Sequence, residues 1–324
     1  MACVNLEILP ACQFVMDNAE SVKIDHDVLK SLAGRWVDHP FEVPGWDWEI
    51  HWRGPDRSMA HYILLLDALN FCFWVDPGQP RWRVFYRDRW FNGYKALSVA
   101  LGRALDEGFP LTSAQALADL TESQLSHILR GEGQIPMLEQ RLSHARQVGR
   151  QLLALYGGDF GQAIASAQGS ATALTGLIAR DFPCFYDVSR YRGREIPLFK
   201  RAQITVVDLA GSLNFAGLGA FHDLDQLTAF ADYKIPQVLR ALGVLQYSAP
   251  LAAQVDSQQL LSPGSPEEVE IRAGMVWAVE LVRQHMARSG RVLRAYELDW
   301  FLWNLGQSPL PAELPYHRVR TVFY

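Results

Sequence analysis

Apolar residues recur with a helical period along most of this chain, and the breaks between runs fall at Gly, Pro and capping residues. Residues 1 to about 20 read as an adapting N-terminal segment. Asp25 to Gly34 is a short amphipathic helix ended by glycine. Met59 to Asn70 is apolar on almost every face, as a buried helix is, with Ser58 as its cap. From Gly93 the 3.6-residue period predicts helices over 94–105, 113–120, 122–129, 136–156 and 170–179, the fourth closed by Gly157 and Gly158.

Further on, a helix starts near Pro197 and fades at Gly211, although its Ile204-Thr-Val-Val207 run is β-branched. Another opens on Pro236 in the favoured first position and runs to Leu242. The clearest start is Ser265-Pro-Glu-Glu268, with Ser265 as cap and Glu268 placed to close a capping box, leading to about Met286. A last helix covers 292–305. Strand signals are sparse: Phe71 to Val75 and Arg81 to Tyr86, flanking Asp76-Pro-Gly-Gln-Pro80, predict a small hairpin as the main sheet. No repeat period is visible. The fold expected is mainly α, a compact helical globule with a small β hairpin, forming one unit over 1–324 with two helical lobes, about 1–180 and 181–324, and the site between them.

One stretch fits no period. From His39 to Arg57, Pro40, Pro44, Gly45, Gly54 and Pro55 alternate with Trp46, Trp48 and Trp52, which predicts an ordered aromatic loop that covers something. The ten Trp, 11 Tyr and 16 Phe are the one compositional excess; such rings more commonly fill a core, and some are candidates to line a pocket that stacks a planar ligand. Charge bears on the partner. With 35 acidic and 30 basic residues the formal net charge is −5, the wrong sign for a protein that wraps a nucleic-acid duplex. A small phosphorylated ligand remains compatible, since one or two local cations hold it.

The apolar run Tyr62-Ile-Leu-Leu-Leu66 stops at Asp67, well short of the roughly 20 residues of a membrane span. The Met1 to Pro10 start lacks the basic and long apolar regions of a secretory signal, and Cys3, Cys12, Cys72 and Cys184 form no C-x-x-C. The expectation is a cytoplasmic protein with free, mostly buried thiols. Oligomeric state leaves no signal in the residues.

Common catalytic signatures are absent: there is no P-loop, no G-x-G-x-x-G, no G-x-S-x-G and no H-E-x-x-H. His222-Asp-Leu-Asp225 is the tightest group of potential metal ligands, and it reads better as turn or cap residues; no metal and no cofactor are expected. Asp232, in Phe230-Ala-Asp-Tyr-Lys-Ile-Pro-Gln237, stands in an apolar connection where Pro236 pushes Ile235 out of helix. It reads either as a turn-capping aspartate or as a carboxylate held against a pocket. Lys200, amid Leu198, Phe199, Ala202 and Ile204, is either a snorkelling lysine or a point charge for a phosphate. Asp67-Ala-Leu-Asn-Phe-Cys-Phe-Trp74 joins an acid, an amide and three rings, either as an aromatic core patch or as a purine-like site.

Several of these pieces occur together and in one order. Leu69-Asn-Phe-Cys-Phe-Trp74, Ala104-Leu-Asp-Glu-Gly108, Phe199-Lys-Arg-Ala-Gln203, Phe230-Ala-Asp-Tyr-Lys-Ile-Pro-Gln-Val-Leu239, Glu268-Val-Glu-Ile-Arg272 and Pro315-Tyr-His-Arg-Val-Arg320 resemble the queuosine salvage family, the queuosine 5′-phosphate N-glycosylases. The resemblance runs from the aromatic loop to the last residue. Two positions depart from it: Cys72 where a small hydroxyl residue is expected, and Lys234 where Arg is expected.

The resemblance implies a hydrolase that cuts the N-glycosidic bond of queuosine 5′-monophosphate, releasing queuine and ribose 5-phosphate, on a fold distantly like the helical DNA glycosylases. Carried over by motif, Asp232 is the catalytic carboxylate, and Lys200 and Tyr233 hold the phosphate and ribose. Phe71, Phe73 and Trp74 wall the base, Asp67 and Asn70 read its guanine-like edge, and His51 and Trp52, in the aromatic loop, are lid candidates for which loop packing is the favoured alternative. The rival readings are a helical nucleic-acid base glycosylase, which needs a basic track, and a non-catalytic scaffold, which needs an exposed apolar groove.

Overall fold

The computed structural model describes residues 6–310, 312 and 314–324. Cys3 and part of the Met1 to Pro10 start lie outside these. In chain order the elements are α1 (Ile8–Asp17), β1 (Val22–Ile24), α2 (His26–Asp38), α3 (Asp56–Ala68), β2 (Arg83–Tyr86), β3 (Arg89–Asn92) and α4 (Gly93–Asp106). Next come α5 (Ala114–Ala118), α6 (Glu122–Ile128), α7 (Leu138–Tyr156), α8 (Phe160–Ser166) and α9 (Ala171–Asp181). The remainder is β4 (Val188–Tyr191), β5 (Arg194–Pro197), α10 (Lys200–Ser212), α11 (Lys234–Ala241), β6 (Leu245–Tyr247), α12 (Ala249–Asp256), α13 (Pro266–Arg288) and α14 (Ala295–Leu305). The fold is mainly α, and the described strands form three two-stranded antiparallel sheets.

Burial explains which helices organise the rest. Ten of the 13 residues of α3 and 12 of the 13 of α10 are buried, and these two helices pack on one another. Helices buried on nearly every side sit at the centre of their neighbours: α4, α7 and α8 pack on α3, and α9 packs on α10. In α10, tertiary burial overrides the weak helix preference of Ile204 to Val207. The long α13 packs against α1, α2, α11 and α14.

The departures from expectation are local and have physical causes. The N-terminal segment is no loose adapter: α1 buries Ile8, Ala11, Cys12 and Val15 and packs on α13. Phe71 to Val75 is not a strand. Cys72 takes a left-handed φ of 42°, which breaks a pleat, and the buried Arg141 holds the carbonyls of Phe71 and Cys72. The real hairpin pairs β2 with β3 around Arg87 and Asp88, both at positive φ, as a two-residue hairpin turn requires. A second one, β4 with β5, turns on Arg192 and Gly193 in the same way. Pro55, not Ser58, precedes α3, and Pro197 closes β5, so α10 begins at Lys200.

Helix α11 starts two residues before Pro236. Asp232 Oδ1 accepts the N–H groups of Lys234 and Ile235 at 3.0 and 2.9 Å, and Pro236 sits in the first turn, where its missing N–H costs nothing. Ile235 is thus helical. The Ser265 cap accepts the Glu268 N–H at 3.4 Å, but the Glu268 carboxylate takes the Gly264 N–H rather than that of Ser265, so the expected box is not closed. His222 to Asp225 is a cap, since Asp223 accepts from Ser170, Ala171 and Thr172 at the start of α9.

Candidate active site

Two chambers meet at a neck beside the N-terminus of α10. One is aromatic and acidic, with Trp46, His51, Asp208, Asp299, Trp300 and Trp303 on its walls. The other is basic, lined by Arg81, Lys234, Tyr233, Tyr316, Phe73 and Trp74 among others. Asn70, Tyr94, Lys95, Lys200, Asp232 and Trp303 line both and so form the neck.

Lys200 and Asp232 are buried at 7% exposure each, which makes their free polar atoms informative. Asp232 uses Oδ1 to cap α11, while Oδ2 has no hydrogen-bond partner among the described residues and belongs to a side chain on the cavity wall. Asp232 thus caps a helix and lines the cavity with one side chain. The Lys200 ammonium likewise has no hydrogen-bond partner among the described residues. Burial pushes the Asp232 carboxyl above the usual range, opposed by Lys200 and the two backbone N–H groups. Burial pulls Lys200 down, opposed chiefly by Asp232. A buried charge without a bonded partner is costly, and a ligand that supplies the partner recovers that cost.

A buried ion pair holds the neck together. Arg272 donates to both Asp187 oxygens at 3.0 and 2.6 Å, and its Nε donates to the Ala231 carbonyl at 3.0 Å, next to Asp232. Asp187 Oδ2 also accepts the Lys200 N–H at 3.2 Å, and the Asp187 carbonyl accepts those of Leu198 and Phe199. Phe199 sits at a left-handed φ of 45°, strain tolerated where the surroundings fix it. One pair thus positions both Lys200 and Asp232.

Arginines shape the other wall. Arg141 donates to the carbonyls of Leu69, Phe71, Cys72 and Pro136, and its guanidinium lies over the Phe71 and Phe73 rings. With no carboxylate beside it among the described residues, burial lowers its pKa to about 9. Arg201 donates to Asp67, Ala68 and Cys184 carbonyls.

Most sequence candidates converge here, with different neighbours from those expected. Asn70, Phe71, Phe73, Trp74 and Tyr233 stand in the basic chamber, and Phe71 and Trp74 are almost wholly buried. Asp67 lies behind the wall at 0% exposure, 3.4 Å from the Asn70 amide, and lines neither chamber. His51 lines the acidic chamber, stacked on Trp46 at 3.8 Å between ring centres, whereas Trp52 faces a separate hollow with Trp48, Arg53 and Tyr86. Sequence reading missed Asp208, Asp299, Tyr94 and Arg272. Asp299 and Asp208 lie inside otherwise apolar helical runs, and that placement was the available signal. No cluster of three or more potential metal ligands occurs among the described residues.

A mainly helical globule with a ring-walled cleft and an unpartnered carboxylate and ammonium at its neck defines a class: an enzyme for a small, flat, anionic ligand. Residues 50–324 match the family described as Queuosine salvage protein. A protein of Sphaerobacter thermophilus named queuosine 5′-phosphate N-glycosylase/hydrolase is 45% identical over 319 residues, 98% of each chain. Proteins of the same name from Mus musculus and Bos taurus are 33% and 32% identical over 97% of each chain. This chain belongs to the queuosine salvage protein family.

Proposed function

We propose that this protein hydrolyses the N-glycosidic bond of queuosine 5′-monophosphate, releasing queuine and ribose 5-phosphate. The observation that carries the reading is the neck, where Asp232 Oδ2 and the Lys200 ammonium lack partners between an acidic, ring-lined chamber and a basic one. Queuine is a 7-deazaguanine, whose guanine-like edge offers N–H donors. Asp299 and the rings of Trp46, Trp300 and Trp303 suit that edge and its flat faces. The base therefore goes to the acidic chamber, and Phe71, Phe73 and Trp74 become walls of the phosphate side. There Lys200 and Tyr233, with Arg81 and Lys234 nearby, hold the phosphate. Asn70 at the neck faces the ribose, and Asp67 supports Asn70 from behind.

Breaking the C1′–N bond builds positive charge on the ribose. The Asp232 carboxylate stabilises that oxocarbenium-like state, and attack at C1′ and activation of water both use the same oxygen. Phosphate binding remote from the bond fixes C1′ over it. The cleft draws its walls from 44–95 and from 200–324, which supports one catalytic unit with its site between the two portions of the chain. No helix of the described residues is long and apolar enough to cross a membrane. The buried free thiols of Cys12, Cys72 and Cys184 suit a reducing compartment, the cytoplasm. The partner is a free nucleotide rather than a duplex, in line with the net charge of −5.

The test is incubation of the purified protein with queuosine 5′-monophosphate, following queuine by liquid chromatography and mass spectrometry, with Asp232→Ala in parallel. Release by wild type and none by the variant supports the reading; no release by the folded wild type refutes it.

A further inference from the structure

Three hydrogen bonds in the acidic chamber link Asp47, His51, Tyr94 and Asp208 in one chain. His51 Nδ1 lies 2.7 Å from the Asp47 carbonyl oxygen, which only accepts, so Nδ1 carries a hydrogen. Burial lowers the ring pKa to about 4, so at neutral pH the imidazole holds that single proton and Nε2 is a bare acceptor. The Tyr94 hydroxyl, 2.9 Å away, must then donate to Nε2. Its one hydrogen is thereby used. Asp208 Oδ2 lies 3.2 Å from the same hydroxyl oxygen, in reach of the same hydrogen; with that hydrogen on the His51 side, a hydrogen bond here takes its hydrogen from the carboxyl. An ionised Asp208 would claim the tyrosine proton and leave two lone pairs facing each other at His51.

We infer that Asp208 is a neutral carboxylic acid in the resting protein and the general acid that protonates the departing base. Its surroundings agree. Asp208 is buried on α10, faces Tyr94 from α4, Asp67 from α3, Asp299 from α14 and Lys200 from its own helix, and burial with the neighbouring acids outweighs the lysine and raises its pKa well above normal. Burial beside Asp232 also raises the Asp299 pKa well above normal, and Asp299 differs in its contacts: its Oδ2 accepts the Phe230 N–H at 2.8 Å, a bond that requires no proton on the carboxyl.

The inference rests on the glycosidase reading and supplies its missing step. In a 7-deazaguanine the ring atom whose protonation helps ordinary purines to leave is a carbon, so an acid is needed at the departing nitrogen. As the C1′–N bond breaks, its electron pair goes to that nitrogen and the Asp208 proton follows. The water that adds to C1′ gives a proton to Asp232, and exchange with solvent returns one to Asp208, so each turnover consumes one water.

Infrared difference spectroscopy of wild type against Asp208→Asn at neutral pH reads the proton without any turnover. A carboxylic-acid C=O band present in wild type and lost in Asp208→Asn, but kept in Asp299→Asn, is expected; its absence in wild type overturns the inference. In rate assays Asp208→Asn should lose about 10²-fold or more of kcat, the range of a general acid, together with the alkaline limb of the pH profile. An unchanged rate and profile in the folded variant also overturns it. Tyr94→Phe, which removes this hydrogen bond while keeping the ring, should keep the carboxylic-acid band and shift its frequency, since burial and the neighbouring acids still hold the proton; loss of the band in this folded variant would overturn the inference. Wild-type release of queuine, measured separately, tests the parent reading on its own.

Discussion

The molecule buries two sets of charge a short way apart and treats them oppositely. At Asp187 and Arg272 both carboxylate oxygens and all three guanidinium nitrogens have partners, and exposure is only 1–2%. At Lys200 and Asp232 the burial is similar, yet the ammonium and one carboxylate oxygen stand free on a cavity wall. A fully satisfied buried pair is scaffold. A half-satisfied pair beside a cavity is unfinished until a ligand arrives.

The contrast breaks most sharply under mutation. Asp232→Asn should cut kcat by at least about 10³-fold, about 4 kcal/mol of transition-state stabilisation, while a thermal melt still shows a folded protein. A variant that keeps its rate assigns the chemistry elsewhere. Arg272→Met should do the reverse in kind, costing about 3–5 kcal/mol of stability because Asp187 is left charged and buried. Denaturant titration measures it, and an unchanged midpoint would show that the pair is no scaffold. Lys200→Ala should lower kcat/KM for the nucleotide by about 10- to 150-fold, as removal of a charged hydrogen bond predicts, and lower the nucleoside's by less, since the lysine also helps to keep Asp232 ionised. An equal loss on both substrates would move the lysine away from phosphate.

The smallest effect lies in the pH dependence of stability. Because the folded-state pKa of Asp232 is raised, the folded protein binds the proton more tightly than the unfolded chain does. Its ionisation therefore costs stability above the folded pKa, and that cost fades as pH falls toward the unfolded value. Asp232→Asn should melt higher than wild type at pH 8, with the gap closing on acidification. A gap that widens on acidification would mean that the pKa is lowered instead.

Much of the fold was legible because its helices carry their own punctuation. The period and caps located α4 to α7, α9, α13 and α14 to within a few residues. The hairpins were harder. Their turns use Arg-Asp and Arg-Gly at positive φ instead of Asn-Gly, and Phe71 to Val75 has strand composition but is pinned by Arg141, a residue about 70 positions away in sequence. Asp232 and Lys200 were legible as charges in apolar surroundings and through the resemblance. Asp208 was not singled out, since its role depends on a hydrogen-bond chain joining α10, α4 and the aromatic loop, which no local window contains.

The most direct test of the central claim is a crystal structure of Asp232→Asn with queuosine 5′-monophosphate. The account predicts C1′ at the neck beside residue 232, the base between the tryptophans of the acidic chamber, and the phosphate near Lys200 in the basic one. A ligand bound the other way round, or away from the neck, would contradict it.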